Sequence, residues 1–207
     1  MASMQISRFY PILDREIAAR QGWRAADAAE RILGSGARIL QFRHKGAFTR
    51  DVFAELECVA KLCARYGARL VVNDRADLAR LLGAGLHLGQ EDLTPTQARI
   101  VTGPETWIGY STHNADQLRS AAKEPADYLA IGPIFTTSSK ENPDPVVGLD
   151  GLRQLRGLTD RPLVAIGGIT RANARSVIDA GADSVAVIGD LFPEIEKRVA
   201  EFVSLLN

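Results

Sequence analysis

Cysteine is scarce in this chain, and the two present, Cys58 and Cys63, lie five positions apart in a stretch of helical period. Their side chains therefore point in different directions and make poor disulfide partners. No Cys-x-x-Cys pair is present, which removes zinc and dithiol-redox readings. An excess of either charge is also lacking, because 25 Lys and Arg balance 25 Asp and Glu. That balance provides no global field to attract nucleic acid or an anionic membrane surface. No uncharged run reaches the roughly 18 residues of a membrane helix. The opening Met1–Tyr10 segment has neither the basic start nor the long apolar stretch of a signal peptide. These absences point to a reduced, cytoplasmic protein.

What remains is the mixture of a globular chain, 46% hydrophobic and 24% charged over 207 residues, long enough to bury a core without staples. One pattern repeats throughout: a short apolar or β-branched run, a loop, then a segment of helical period. The strand candidates are Phe9–Leu13, Arg38–Arg43, Arg69–Asn73, Gly85–Leu88, Trp107–Ser111, Tyr128–Ile134, Leu163–Gly167 and Ser184–Ile188. Helices are expected at about 24–34, 49–66, 76–82, 94–101, 114–122, 148–156, 171–180 and 193–205. Thr49, Thr94, Asn114 and Thr170 stand where N-caps belong, and Gly67, Gly83 and Gly181 where left-handed C-caps do.

Strict alternation of this kind predicts a parallel sheet covered by helices. Eight units in 207 residues predict a single-domain α/β chain, a (β/α)8 TIM barrel spanning residues 1–207. The rival, a doubly wound open sheet, would bring a nucleotide-binding glycine fingerprint after the first strand, and Asp14-Arg-Glu-Ile-Ala is not one.

A barrel of this type carries its site at the C-terminal strand ends. On the second strand Gln41, Arg43 and Lys45 share one face, and Leu40, Phe42 and His44 share the other. The polar triplet is expected to climb from the lumen into the mouth, with His44 outward. Asp74 and Asp92 end adjacent strands, where two carboxylates suit Mg2+, a cation that seldom receives a complete protein cage. The fifth strand delivers Ser111. A long loop follows the sixth strand, in which Thr136, Thr137, Ser138, Ser139 and Lys140 offer donors to phosphate oxygens. Gly167 and Gly168 after the seventh strand, with Ile188 and Gly189 after the eighth, occupy the usual phosphate site of such barrels. The mouth thus predicts two anion sites and small phosphorylated substrates, with no nucleic-acid or membrane partner; a homo-oligomer is left open.

Six phrases in order resemble the thiamine phosphate synthase/TenI superfamily: Gln41-Phe-Arg43-His-Lys45, Val72-Asn73-Asp74-Arg75, His87-Leu-Gly-Gln-Glu-Asp92, Gly109-Tyr-Ser111-Thr-His113, Tyr128 through Lys140, and Val164-Ala-Ile-Gly-Gly-Ile-Thr170. The resemblance implies a (β/α)8 barrel that couples 4-amino-2-methyl-5-hydroxymethylpyrimidine diphosphate with 4-methyl-5-(β-hydroxyethyl)thiazole phosphate. Its products would be thiamine monophosphate and pyrophosphate, with one Mg2+ per site. By resemblance Gln41 orients the pyrimidine, and Arg43, Lys45, Asn73, Ser111 and Lys140 contact the diphosphate. Arg43, Lys45, Ser111 and Lys140 are the implied catalytic set, with Asp74 and Asp92 as metal ligands. Thr137, Ser139, Gly168, Ile188 and Gly189 would form the thiazole phosphate site. Ser139 stands where the family often has threonine, and Gly189 where it often has serine. Asp14 receives no role, and the three histidines are expected to take no catalytic part. The alternatives are a TenI-like thiazole tautomerase and a non-catalytic thiazole-phosphate-binding barrel, neither of which needs the whole diphosphate apparatus.

Overall fold

The computed structural model describes residues 6–137 and 144–207. Eight strands, β1 (Phe9–Asp14), β2 (Ile39–Arg43), β3 (Arg69–Asn73), β4 (Gly85–Leu88), β5 (Ile108–Thr112), β6 (Tyr128–Ile131), β7 (Leu163–Ile166) and β8 (Ser184–Val187), form a closed barrel in chain order. Every neighbouring pair is parallel, including β1 with β8. The covering helices are α1 (Arg15–Arg20), α2 (Ala25–Gly34), α3 (Arg50–Arg65), α4 (Ala76–Leu82), α5 (Pro95–Thr102), α6 (Ala115–Ala121), α7 (Gly148–Arg156), α8 (Ala174–Asp179) and α9 (Ile195–Leu206). Among the described residues, no helix is long and apolar enough to cross a membrane.

Local signals explain most boundaries. Thr49 accepts from the Val52 N–H, Asn114 accepts from Gln117, and Thr94 and Gln97 form a reciprocal capping box. Gly83 ends α4 in the left-handed conformation, φ 60°. Most boundaries fall within two residues of expectation, and three features depart further. Helix α1 is additional: it is short, buries only Ala18 fully, and is nucleated by Asp14, whose carboxylate accepts from the Ile17 N–H at 2.9 Å. Thr170 does not cap α8, because Asn173 accepts from the Thr170 N–H and donates to Gly168 O, holding the chain in a turn until Ala174. Strand β6 stops at Ile131 rather than Ile134, since Pro133 has no N–H for the ladder. Pairing toward β7 then resumes from Ile134 and Phe135 to the carbonyls of Ile166 and Gly167.

Alternation along the strands creates two cores. Leu13, Leu40, Phe42, Val72, Leu86 and Leu88 pack outward against the helices. Tyr10, Ile12, Ile39, Val71, Tyr128, Ala130, Val164 and Ala186 fill the lumen. Tyr128 shares the lumen with Tyr10 and stacks on Trp107 with centroids 4.3 Å apart and on His87 at 5.6 Å. Its space exists because residue 109 is glycine: a Cβ there would lie 1.9 Å from Tyr128 Cζ.

Gly109→Ala is therefore expected to overpack the lumen, costing about 1–3 kcal/mol. That corresponds to a lowered thermal midpoint at about 2–4 °C per kcal/mol. Gly157→Ala, at φ −70° with nothing within 4 Å of its Cβ, should leave the midpoint nearly unchanged. Calorimetry of the two variants checks the contrast, and equal midpoints would show that the lumen yields around Tyr128.

Candidate active site

The C-terminal strand ends bring Arg43, Lys45, Asp74 and Asp92 to one end of the barrel. Arg43 ends β2 beside Asp14, its register partner at the end of β1, and the two side chains form an ion pair. Lys45, two residues on, donates to Asp74 Oδ2 at 2.6 Å. Asp74 is the one non-glycine residue with positive φ among those described, at 65°, a conformation Asp tolerates better than most residues. Backbone bonds hold this turn, from Asp74 N–H to His87 O and from Arg75 N–H to Asn73 O. Asp92 folds back to accept from the Gly89 N–H at 2.7 Å. Burial raises the Asp92 carboxyl above its ordinary range, and the Asp74 carboxyl within hydrogen-bonding reach raises it further. Two facing carboxylates beside a lysine thus share one corner of the mouth. Asn73 adds a buried amide nitrogen with no hydrogen-bond partner among the described residues.

Beneath this corner runs a buried chain of hydrogen bonds. Gln41 Nε2 donates to Tyr10 Oη at 3.0 Å, and Tyr10 Oη meets Tyr128 Oη at 2.9 Å. Tyr128 Oη meets His87 Nδ1 at 2.9 Å, and His87 Nε2 meets Ser111 Oγ at 2.9 Å. Burial pushes both tyrosine pKa values up and the His87 imidazole down to about 4, so all three are neutral at physiological pH. One polarity satisfies every donor. Tyr10 gives its hydrogen to Tyr128, Tyr128 gives its own to His87 Nδ1, and His87 Nε2–H is given to Ser111. The Ser111 hydroxyl hydrogen then remains for an acceptor at the mouth. His87 and the two tyrosines were not singled out as site residues in the sequence. His44 turns outward as expected, pairing with Glu16 and Ala47 O.

The loops after β6, β7 and β8 form the other side of the mouth. Gly168 has φ 65°, and a Cβ on it would lie 2.5 Å from Thr136 O and 2.7 Å from Phe135 Cβ. Its small size thus lets the β7 loop close against the segment leading to half-buried Thr137. Ile188 precedes a 310 turn, Gly189–Leu191, and Gly189 faces open space. Asp190 anchors that turn by accepting from Arg171 N–H at 2.9 Å and from Arg198 Nη1 at 2.8 Å. Asp14 and Asp190 are organising residues that local sequence pattern did not reveal, since their partners lie on other elements. Ser139 and Lys140 lie outside the described residues. No group of three or more His, Cys, Asp or Glu side chains that could hold a metal is assembled among the described residues.

Fold and mouth together define the class: a (β/α)8-barrel enzyme whose C-terminal face sets cations beside paired carboxylates. The chain belongs to the thiamine monophosphate synthase family, whose model matches residues 9–191, and it is thereby a transferase. It is 49% identical to a thiamine-phosphate synthase of Koribacter versatilis, with 100% of each chain covered. It is 43% identical to one of Albidiferax ferrireducens over 91% of this chain and 85% of that protein. Among solved structures it resembles thiamine phosphate pyrophosphorylase from Pyrococcus furiosus, with a TM-score of 0.86 and 32% identity over 96% of this chain and 95% of that one.

Asp14 serves both α1 and Arg43, and two substitutions separate these duties. Asp14→Asn keeps an oxygen for the Ile17 N–H and loses the ion pair, at an expected cost of about 2 kcal/mol. Asp14→Ala loses both and should be less stable than Asp14→Asn by about 1 kcal/mol. Urea unfolding of the two variants reads the difference directly, and coincident transitions would mean that the cap contributes nothing.

Proposed function

We propose that this chain joins 4-amino-2-methyl-5-hydroxymethylpyrimidine diphosphate to 4-methyl-5-(β-hydroxyethyl)thiazole phosphate, forming thiamine monophosphate and releasing pyrophosphate. The observation that carries this reading is the gathering of Arg43, Lys45, an Asn73 amide nitrogen unpartnered among the described residues, and two facing carboxylates. That set answers the charge of a diphosphate leaving group. Asp74 and Asp92 would hold one Mg2+, since two hard oxygen ligands suit an ion that keeps substrate oxygens and water for the rest of its shell. When bound, that ion would supply neutralisation of the departing charge.

Arg43 and Lys45 exchange part of their pairing with Asp14 and Asp74 for the diphosphate oxygens. Asn73 and Ser111 each donate one hydrogen bond to it, and Lys140 is assigned to the same group. These donors stabilise negative charge as it develops, which favours a dissociative path. The bond between the pyrimidine methylene carbon and the diphosphate oxygen breaks, with its electron pair leaving on oxygen. The aminopyrimidine ring stabilises the resulting cation. Gln41, its amide nitrogen held by Tyr10, orients this ring with the amide oxygen left to accept from the exocyclic amine. The thiazole nitrogen then forms the new C–N bond with its lone pair, so no proton is removed and no nucleophilic side chain is needed. Thr137, Ser139, Gly168, Ile188 and Gly189 are assigned to the thiazole phosphate.

Pyrophosphate release should require both substrates and Mg2+ together, with thiamine monophosphate formed, when each component is omitted in turn. Thiazole phosphate binding without release would instead favour a tautomerase or a binding barrel. Lys140→Ala is expected to lower turnover by about 100-fold with an unchanged thermal midpoint, and equal turnover would remove Lys140 from the reaction. Asp74→Asn should raise the Mg2+ concentration at half-maximal rate by about tenfold. An unchanged metal titration would place the ion elsewhere.

A further inference from the structure

The proposed reaction uses only one end of the barrel. At the other, where the strands begin, a cavity of about 1190 Å3 is lined by Arg8, Arg38, Arg69, Arg80 and Trp107. Three of these arginines stand at equivalent places: Arg8 directly before β1, Arg38 directly before β2, and Arg69 first in β3. The Arg69 N–H bonds to Arg38 O, so the last two are held side by side. Arg80 enters from α4.

Three of the four guanidinium groups donate to backbone carbonyls. Arg8 donates to Leu206 O at 3.4 Å, Arg38 to Ala37 O at 3.2 Å and Arg80 to Thr102 O at 3.2 Å. None of these three forms an ion pair among the described residues. The guanidinium of Arg69 lies over the Trp107 ring, 4.6 Å from its centroid, and burial lowers its pKa while Asp127 opposes. The acidic residues that precede β6 and β8 also serve neighbouring elements, and Asp127 acts on Arg69 as well. Asp127 pairs with Arg99 and accepts from the Ile108 N–H, and Asp183 pairs with Arg156 and accepts from the Leu163 N–H. Glu105 is the one acidic side chain lining the cavity among the described residues. Arg8, Arg38 and Arg80, with no ion pair among the described residues, thus face a concave space that Arg69, Glu105 and Asn207 also line.

We propose that this end of the barrel is a second anion site, which takes a compact polyphosphate. Arginine forks match phosphate oxygens in pairs, and a cavity of this size with four separated guanidinium groups exceeds what one phosphate can bridge. A nucleic-acid strand fits less well, because the chain carries 25 positive against 25 negative residues and the arginines line a recess rather than a ridge. A ring-bearing ligand gains nothing extra from Trp107, whose faces are covered by Arg69 and Tyr128. The site is independent of the proposed coupling reaction, since it shares no residue with the catalytic mouth.

The test titrates inorganic triphosphate into the full chain without divalent metal. It follows fluorescence in a Trp23→Phe background, in which Trp107 is the remaining tryptophan of two. A saturable change is expected. Arg38→Ala and Arg80→Ala should each weaken it by about tenfold or more, while Lys45→Ala, at the opposite mouth, should leave it within twofold. Thermal midpoints establish that each variant is folded, and Arg38→Gln replaces Arg38→Ala if the latter is not. No saturable change would overturn the proposal. So would equal affinity in the arginine variants, or loss of binding in Lys45→Ala alone, which would put the anion in the catalytic mouth.

Discussion

Tyr128 is the constraint on which the rest of this barrel depends. The Tyr128 ring fits where it does because its register partner on the neighbouring strand, Gly109, carries no side chain. The ring then stacks on Trp107 below and His87 above. Its hydroxyl must find partners in a place water does not reach. The partners are Tyr10 and His87, and through them Gln41 and Ser111. Packing and polarity are thus solved by one residue, and the solution fixes the rotamers of two groups at the mouth before any ligand arrives.

Above that layer, charge takes over from packing. Arg43 and Lys45 each lean on a carboxylate of the neighbouring strand end or loop, Asp14 and Asp74. Pairing of this kind keeps the cations from facing one another unpaired. It also leaves them able to transfer part of their interaction to an anionic ligand without crossing the site. The pairing of Asp74 with Lys45 and its contact with Asp92 place a residue of positive φ at the meeting point of both charges. Strained backbone is often retained at such functional positions.

Much of this was legible in the chain because the signals are periodic. The parity of β2 put Gln41 inside and Leu40 and Phe42 outside, and both sides hold. Threonine and asparagine caps marked α3, α5 and α6. The Gln41-Phe-Arg43 and Asn73-Asp74 phrases marked the mouth, and the structure brings those residues to adjacent strand ends. Other features were not legible, for a common reason. Asp14, His87 and Asp190 owe their importance to partners 29, 24 and 19 positions away, Arg43, Ser111 and Arg171, and no local pattern encodes such pairings. Helix α1 escaped because six residues with one fully buried alanine carry too little periodicity to separate a helix from a loop. The early start expected for α8 failed because Asn173 competes for Thr170, a side-chain bond that outweighs the cap propensity of threonine.

The double duty of Asp14 has a consequence for motion. One carboxylate oxygen holds the Ile17 amide and the other holds Arg43. Any ligand that draws Arg43 toward itself leaves more of the carboxylate's charge to the first turn of α1. The exchange of the Ile17 amide hydrogen with solvent then becomes a gauge of what occupies the mouth. Slower exchange is the outcome expected for an anion there.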